Sequence, residues 1–229
     1  MKIPLLFRIG LFAVLVCNLH TASLVSAQVN DAGLWLSLNA EKKVTSRFSV
    51  TMSAESRFNE NISEAGTIFA DMGLDYRLHK NLRVSANYRF SGKRRLDDSY
   101  STRHRWYAQV TIREKVDRIR MSFRTRFQTQ FTDLYSSPDG KIPEYTTRFR
   151  LNLSYNNKSA FEPYVNAELF LPLELKQNQG INQTRYMAGV EYRLNRKHMF
   201  ELFYLFQREY GVKNPEFDYV TGIGYYFSL

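Results

Sequence analysis

Arginine side chains alternate with apolar ones along residues 118–131 of this 229-residue chain. The even positions hold Arg, Ser and Gln, whereas the odd positions hold Ile, Met, Phe and Thr. Because successive side chains of a β-strand point to opposite faces, such a strand has one cationic face and one apolar face. A one-sided array of arginines attracts anions and raises their local concentration. Anion attraction is therefore the clearest chemistry that this sequence indicates.

Residues suited to catalysis are few. The alternation places His104 on the apolar face of its segment, whereas Ser122, the candidate serine for a partner in register, points the other way. The sequence has no G-x-S-x-G motif and no evident third group to orient the histidine. Its single cysteine, Cys17, lies in a predicted signal peptide, and no phosphate-binding loop or metal-ligand spacing occurs. We therefore expect no enzyme activity, no cofactor and no metal, with lipid hydrolysis as the alternative.

Segments of the same alternating kind follow one another along the whole chain. They span residues 34–41, 47–58, 67–77, 83–90, 103–113, 118–131, 145–155, 162–171, 184–194, 199–209 and 217–229. Most have about the 9–11 residues that a tilted strand needs to cross a bilayer. This many segments favour apolar faces that point outward to lipid and charged faces that point inward to water. The sequence thus predicts an all-β, up-and-down antiparallel transmembrane β-barrel.

The number of strands and their connections are less clear from the pattern. Since antiparallel closure favours an even number, we expect about ten or twelve strands. Short predicted turns alternate with longer polar links, which is typical of outer-membrane barrels. The longer links are expected at residues 59–66, 91–102, 132–144, 172–183 and 210–216.

Arginines from the fourth to seventh segments fall on inward positions, where no Asp or Glu accompanies them. The lumen is therefore expected to have a cationic wall, made by Arg83, Arg89, Arg103, Arg105, Arg113, Arg118, Arg120, Arg124, Arg126, Arg148 and Arg150. The opposite wall is mixed but largely acidic, with Glu41, Glu55, Asp71, Asp75, Glu168, Glu191, Glu201, Glu209 and Asp218 beside Arg57, Arg77, Arg185 and Arg193. Either these charges pair across the lumen and plug it, or unpaired arginines line a narrow anion-selective path.

Both ends of the chain indicate export to the outer membrane of a Gram-negative bacterium. Residues 1–27 have the features of a cleaved signal peptide: Lys2 and Arg8 precede a short apolar stretch, and small residues end the segment at Ala27. Residues 28–229 then form the barrel domain. Aromatic residues alternate to the end of the chain, as in the signal that the barrel-insertion machinery recognises, although the last residue is Leu229 rather than Phe.

Short motifs along the mature chain resemble an outer-membrane β-barrel family of Bacteroidota that is known only as a domain of unknown function. The resemblance rests on Gly33-Leu34-Trp35-Leu36, Glu41-Lys42-Lys43, Glu55 with Arg57-Phe58-Asn59, Tyr88-Arg89-Phe90, Arg103-His104-Arg105-Trp106 and the aromatic C-terminus. It implies a location and a fold rather than a chemistry.

Aromatic residues near strand ends are expected to form belts at the two membrane interfaces. These are Trp35, Tyr88, Phe90, Trp106, Tyr155, Tyr192 and Phe227. The expected partners are outer-membrane lipids, with lipopolysaccharide phosphates as a candidate ligand of the basic run Lys93-Arg94-Arg95. The net charge of +10 at pH 7 does not indicate nucleic-acid binding, because the arginines alternate with lipid-type residues along strands.

Overall fold

The computed structural model describes residues 29–95, 97–132, 144–173, 180–212 and 215–229. It consists of eleven strands: β1 (Val29–Lys43), β2 (Phe48–Asn59), β3 (Glu64–His79), β4 (Leu82–Arg94), β5 (Tyr100–Val116), β6 (Ile119–Thr132), β7 (Glu144–Tyr155), β8 (Phe161–Pro172), β9 (Gln183–Arg193), β10 (His198–Glu209) and β11 (Glu216–Ser228). No helix in these ranges is long and apolar enough to cross a membrane. The predicted signal peptide lies outside the described residues.

The strands form one closed barrel in sequence order. Each strand pairs antiparallel with the next, and β1 closes the barrel by pairing in parallel with β11, from Val29 opposite Glu216 to Glu41 opposite Ser228. Parallel closure leaves no strand edge unpaired, which removes the hazard of an exposed edge. The all-β barrel is thus confirmed, but the expectation of an even strand number is wrong. Residues 29–33, which precede the first predicted segment, extend β1 and form no separate strand.

Several strands are longer than the sequence pattern predicts, so some expected loops are tight turns. The connection after each odd-numbered strand lies at one end of the barrel, which we call the turn rim; the opposite end is the loop rim. At the loop rim β3 begins at Glu64, β4 ends at Arg94 and β5 begins at Tyr100. Half of the predicted link 59–66 and seven of the twelve residues of the predicted link 91–102 are therefore strand. The interior of the predicted link 132–144 lies outside the described residues.

The two faces of the barrel have the polarity that the alternation predicts. Large apolar side chains are exposed on the outer face, with Leu38 at 62% and Trp106 at 55%, whereas charged residues such as Asp71 (6%) and Glu168 (5%) are buried inside. A water-soluble protein has the opposite arrangement. In water, each such exposed Leu or Met would forgo about 1.5–3 kcal/mol of burial free energy, so the outer face suits an apolar medium.

Glycines on the inner face of β11 make room for large side chains of β10. Phe203 lies directly opposite Gly222, and its ring occupies the space that a side chain at Gly222 would need. Leu205 and Val220, farther along the same two strands, are 0% and 2% exposed. This part of the inner wall is therefore apolar and closely packed.

Replacing Gly222 with Val is expected to lower the free energy of unfolding by about 1–3 kcal/mol, because the new side chain overpacks the wall against Phe203. Urea titration of the refolded barrel, followed by its heat-dependent mobility on gels, measures the change. Gly180→Val is the matched control, since no atom of the described residues lies within 4 Å of a Cβ added there. Adding Phe203→Ala should restore part of the loss, and equal stability of Gly222→Val and the unchanged protein would refute the packing account.

Candidate functional site: an arginine-lined lumen

Guanidinium groups and aromatic rings follow one another around the inner wall of the barrel. We call this set the lumen girdle. It takes one residue from each of nine strands, β1 to β9: Trp35, Arg57, Phe69, Arg89, Tyr107, Arg126, Arg148, Phe170 and Arg185. Each of these side chains points inward, because side chains alternate along a strand and the residues directly before and after it in the sequence point outward. Leu205 and Val220 of β10 and β11 complete the circuit with apolar groups.

Four contacts make the first half of the lumen girdle. The Arg57 Cζ lies 3.7 Å from the centre of the Trp35 ring and 5.1 Å from that of Phe69. On the far side of the Phe69 ring, the Arg89 Cζ lies 3.6 Å from the same ring centre. Arg126 in turn stacks on Tyr107 at 4.0 Å. All four distances are within the range of about 6 Å for cation–π attraction.

The second half of the lumen girdle returns to its starting point. Arg148 lies 4.2 Å and Arg185 lies 4.8 Å from the ring centre of Phe170. Arg185 also approaches Trp35, at 5.2 Å from its ring centre. The indole of Trp35 is thus contacted by two guanidinium groups, and the edge-on ring of Phe203 lies 6.4 Å away.

Two carboxylates at the borders of the cationic wall engage the arginines. Asp71 accepts a bond from Arg89 at 2.7 Å and another from the Tyr107 hydroxyl at 2.7 Å. Glu168 accepts bonds from Arg148 at 2.8 Å and from Arg124 at 2.5 Å. These contacts run along the wall and join either adjacent strands or strands with one other strand between them. They differ from the cross-lumen pairs on which the plugged interpretation depends.

Eight arginines belong to the lumen girdle or lie beside it, and four of them have no carboxylate partner within the described ranges. Arg126 donates two bonds to Gln109, at 2.9 and 3.1 Å, and Arg185 donates one to Gln207 at 2.5 Å. Arg105 donates to Gln130. For Arg150, the described part of the chain offers no hydrogen-bond or ion-pair partner, since Glu168, which is opposite to it in the register, binds Arg124 and Arg148.

Three cavities lie along the lumen and meet at Trp35. A turn-side cavity of about 640 Å³ includes residues of the turn rim such as Lys80, and a loop-side cavity of about 610 Å³ includes residues of the loop rim such as Arg95. Between them lies a cavity of about 340 Å³, the arginine chamber. Among the described residues, Glu168 is the one carboxylate in the lining of the chamber, and eight arginines line it: Arg57, Arg89, Arg105, Arg124, Arg126, Arg148, Arg150 and Arg185. Of all these lining residues, Trp35 alone borders the three cavities.

The predicted lumen residues are distributed over this system of cavities. Those that border the chamber are Arg89, Arg105, Arg124, Arg126, Arg148, Arg150 and Glu168, and those that border the turn-side cavity include Arg120, Glu55 and Glu191. Glu41, Asp71 and Asp75 border a further cavity of about 440 Å³ together with Arg83. Arg103 lies in β5 at the loop-rim side, and its buried Nε has no partner among the described residues.

Two predicted positions differ from the structure. Arg118 lies in the turn between β5 and β6, and donates to the hydroxyl of the exposed Tyr155 at 3.4 Å, so it is not part of the lumen wall. Trp35 is not an interfacial residue of the outer surface but a member of the lumen girdle. The reason is the length of β1: because the strand begins at Val29, Trp35 lies at its middle and shares the inward phase of Ser37 and Asn39. The other predicted belt residues, Tyr88, Phe90, Trp106, Tyr155, Tyr192 and Phe227, lie on outward positions.

Glutamates of three adjacent strands lie side by side on the turn-rim side of the chamber. In the register Glu191 of β9 is opposite both Glu162 of β8 and Glu201 of β10. Glu162 binds Arg193 at 3.2 Å and also Arg120, while Glu201 accepts bonds from the hydroxyls of Tyr164 and, at 2.7 Å, Tyr226. The acidic wall is thus held by tyrosines as well as arginines, a role that alternation alone does not reveal.

The outer face carries two histidine–tyrosine pairs, one of which is His198 with its Nδ1 2.6 Å from the hydroxyl of Tyr225. The Nδ1 of His104 lies 2.7 Å from the hydroxyl of Tyr88, on the surface that also carries Phe90 and Trp106. Ser122 borders the turn-side cavity instead, so the two residues lie on opposite faces of the wall. No group of three or more His, Cys, Asp or Glu residues in the described ranges is arranged to hold a metal ion.

At the loop rim, Arg94 of the predicted basic run is held by carboxylates. It forms ion pairs with Glu64 and, at 2.5 Å, with Asp98. In the same turn the hydroxyl and the backbone N–H of Ser99 donate to Asp97, which lowers the pKa of that carboxyl group. Lys93 and Arg95 carry the remaining charge of the run.

Comparison with known families gives one decisive match. The model of the family described as "Protein of unknown function (DUF2490)" matches residues 32–218. The chain belongs to this family. The DUF2490 assignment agrees with the resemblance drawn from the sequence motifs, whereas an origin in Bacteroidota stays a prediction. A search of curated proteins finds no match.

The DUF2490 barrel is similar in fold to two solved autotransporter domains. The β domain of the Bordetella autotransporter BrkA is 10% identical, with a TM-score of 0.45 over 77% of this chain and 82% of that one. The translocator domain of the autotransporter NalP from Neisseria meningitidis is 9% identical, with a TM-score of 0.43 over 76% of this chain and 71% of that one.

Replacing Glu168 with Gln is expected to destabilise the DUF2490 barrel by about 3–5 kcal/mol, because it leaves Arg124 and Arg148 as buried charges without their partner. The midpoint of urea unfolding measures this loss. Asp98→Asn is the control: it removes an exposed partner of Arg94 and should change the stability by about 1 kcal/mol or less. Similar midpoints for both variants would contradict the structural role assigned to Glu168.

Proposed function

We propose that the protein is an outer-membrane β-barrel whose narrow, arginine-lined lumen admits small anions, and that it has no catalytic role. The observation that carries this proposal is the arginine chamber, in which eight guanidinium groups face one carboxylate. A lumen with such an excess of one charge concentrates ions of the opposite charge and repels those of its own.

The outer surface supports the location. Exposed apolar side chains surround the barrel, and every strand is hydrogen-bonded on both sides, as a segment within hydrocarbon requires. Rings at the turn rim, such as Phe161 with Tyr192 at 4.7 Å, and others such as Tyr88 with Trp106 at 4.5 Å, suit the interfaces of a bilayer. We infer from this surface that the medium is a Gram-negative outer membrane.

The three cavities support a narrow path rather than a wide channel. Their linings extend from the turn rim to the loop rim, and Trp35, which contacts Arg57 and Arg185, borders both outer cavities. A small anion that moves through the lumen has to pass this cluster. Arginines that bind glutamine or no described group, rather than a carboxylate, keep their charge available to it.

A lipid hydrolase is the second candidate, favoured only by the pair of His104 and Tyr88 on the outer face. A histidine in a serine-type hydrolase needs a nucleophile within hydrogen-bond reach on the same face. Ser122 points into the lumen, so this candidate would require another nucleophile. Release of fatty acid from vesicles that contain the folded protein tests it, with His104→Ala as the comparison.

Partners follow from the same surfaces. The β11 strand, with Tyr225 and Phe227 outward, is the expected contact for the barrel-insertion machinery. Lipopolysaccharide phosphates are the expected ligands of Lys93 and Arg95, because Arg94 is already bound by two carboxylates.

In a planar bilayer with a salt gradient, we expect small single-channel steps whose reversal potential indicates anion selectivity. Replacing both Arg126 and Arg150 with Ala should shift that potential toward cation permeation, since two chamber charges are lost. Trp35→Ala should enlarge the steps, because the ring borders both outer cavities. Arg118→Ala, which removes the same charge from a turn outside the lumen, is the control. Cation-selective steps from the unchanged barrel, or silence from a barrel shown to be folded by heat-dependent mobility, would refute the pore.

A further inference from the structure

The charge of the arginine chamber is not balanced by the described protein groups. Its lining holds eight guanidinium groups and Glu168, and two more carboxylates, Glu55 and Asp71, bind Arg57 and Arg89 from nearby. A guanidinium group does not lose its proton under protein conditions, so the excess cannot be removed by titration. Buried charges without counter-charges are costly, and a bound anion is the direct remedy.

The register of the strands increases this cost. Arg89 is directly opposite Arg105, Arg126 opposite Arg148, and Arg124 opposite Arg150. Like charges directly opposite each other on neighbouring strands destabilise a sheet. Three such pairs around one chamber indicate that their favourable partner lies in the space between them.

The guanidinium groups also retain unused donors. A guanidinium group has five N–H donors. Arg185 uses only its Nε in the described hydrogen bonds, Arg150 uses none, and the buried Nε of Arg124 has no partner within the described ranges. Because aromatic rings pack against the guanidinium group of Arg185, the edge that carries its unused donors is the part left for a ligand.

We propose that the arginine chamber is a binding site for one compact, multivalent oxyanion, a small molecule that carries phosphate or sulfate groups. The proposal rests on the proposed function in that anions must enter the lumen, but it adds a specific, saturable site. The fork of donors on arginine matches the oxygen pairs of a tetrahedral oxyanion. A volume of about 340 Å³ is at the lower end of the range of ligand sites, about 300–1,000 Å³. A halide ion, with one charge and no oxygen pair, would use little of this array.

The chain provides its own reporter for the test. It has two tryptophans, Trp35 in the chamber wall and Trp106 on the outer surface. Trp106→Phe leaves Trp35 as the single tryptophan, stacked against Arg57 and close to Arg185, and excitation at its long-wavelength edge separates its emission from that of the tyrosines. The folded barrel in detergent micelles is titrated with pyrophosphate, and separately with sulfate and with chloride at matched ionic strength. We expect a saturable change in Trp35 emission with pyrophosphate, of one equivalent per barrel by calorimetry, and a linear, weak response to chloride.

Arg150→Gln is the most informative variant, because it removes a chamber charge without breaking any described hydrogen bond. Loss of one charge-assisted bond is expected to weaken pyrophosphate binding by about tenfold or more. Arg118→Gln removes the same charge from the turn rim and should leave the affinity unchanged. Heat-dependent mobility on gels establishes that each variant is folded before it is titrated.

The outcomes separate this inference from the pore. Saturable pyrophosphate binding that Arg150→Gln weakens supports the site, whether or not the barrel conducts. A response that never saturates, that chloride reproduces, or that Arg118→Gln and Arg150→Gln change equally overturns the site, even where anion-selective conductance is intact. Stronger binding of sulfate than of pyrophosphate would assign the ligand to the sulfated class.

Discussion

The interior of this barrel depends on the stacking of guanidinium groups on aromatic rings. A ring attracts a cation through its quadrupole but carries no net charge. Trp35, Phe69, Tyr107 and Phe170 therefore hold arginines in place without neutralising them, which carboxylates in the same positions would have done. The lumen can therefore be well ordered and positively charged at the same time. The glutamine partners of Arg105, Arg126 and Arg185 act in the same sense, because they fix the orientation of a charge and leave its magnitude unchanged.

Two carboxylates lie at the borders of the cationic wall. Asp71 on β3 and Glu168 on β8 flank the arginine strands β4 to β7, and each is shared between two donors. Because each of these carboxylates accepts bonds from two donors, few negative charges are needed to hold the wall at its borders. The centre of the wall therefore stays cationic. The closely packed apolar strip of β10 and β11 fills the remaining sector without adding charge. Different sectors of the inner wall thus provide the order, the positive charge and the limited width of the lumen.

Much of this architecture follows from alternation alone, which gave all eleven strands and the inward phase of the chamber arginines. The inward aromatic rings were harder to predict. Phe69 and Phe170 each lie between two apolar residues of the outer face, so their residue type does not reveal that their rings point inward. Trp35 was assigned by its residue type against its own phase. Parallel closure could not be predicted, since alternation has the same form in either strand direction. Contacts such as Tyr226 with Glu201 depend on the stagger between strands, which no single segment encodes.

The parallel seam between β1 and β11 has a further consequence for the path of the chain. An odd number of crossings means that β1 starts at the loop rim and β11 finishes at the turn rim. In barrels with an even number of strands, both ends of the chain emerge on the same side. Here Val29 and Ser228 are separated by the height of the wall, roughly 30–40 Å for strands of this length and tilt. Anything fused beside one of these residues would lie at the opposite rim of the barrel from a fusion beside the other, and the two could not be joined by a short linker without obstructing the lumen.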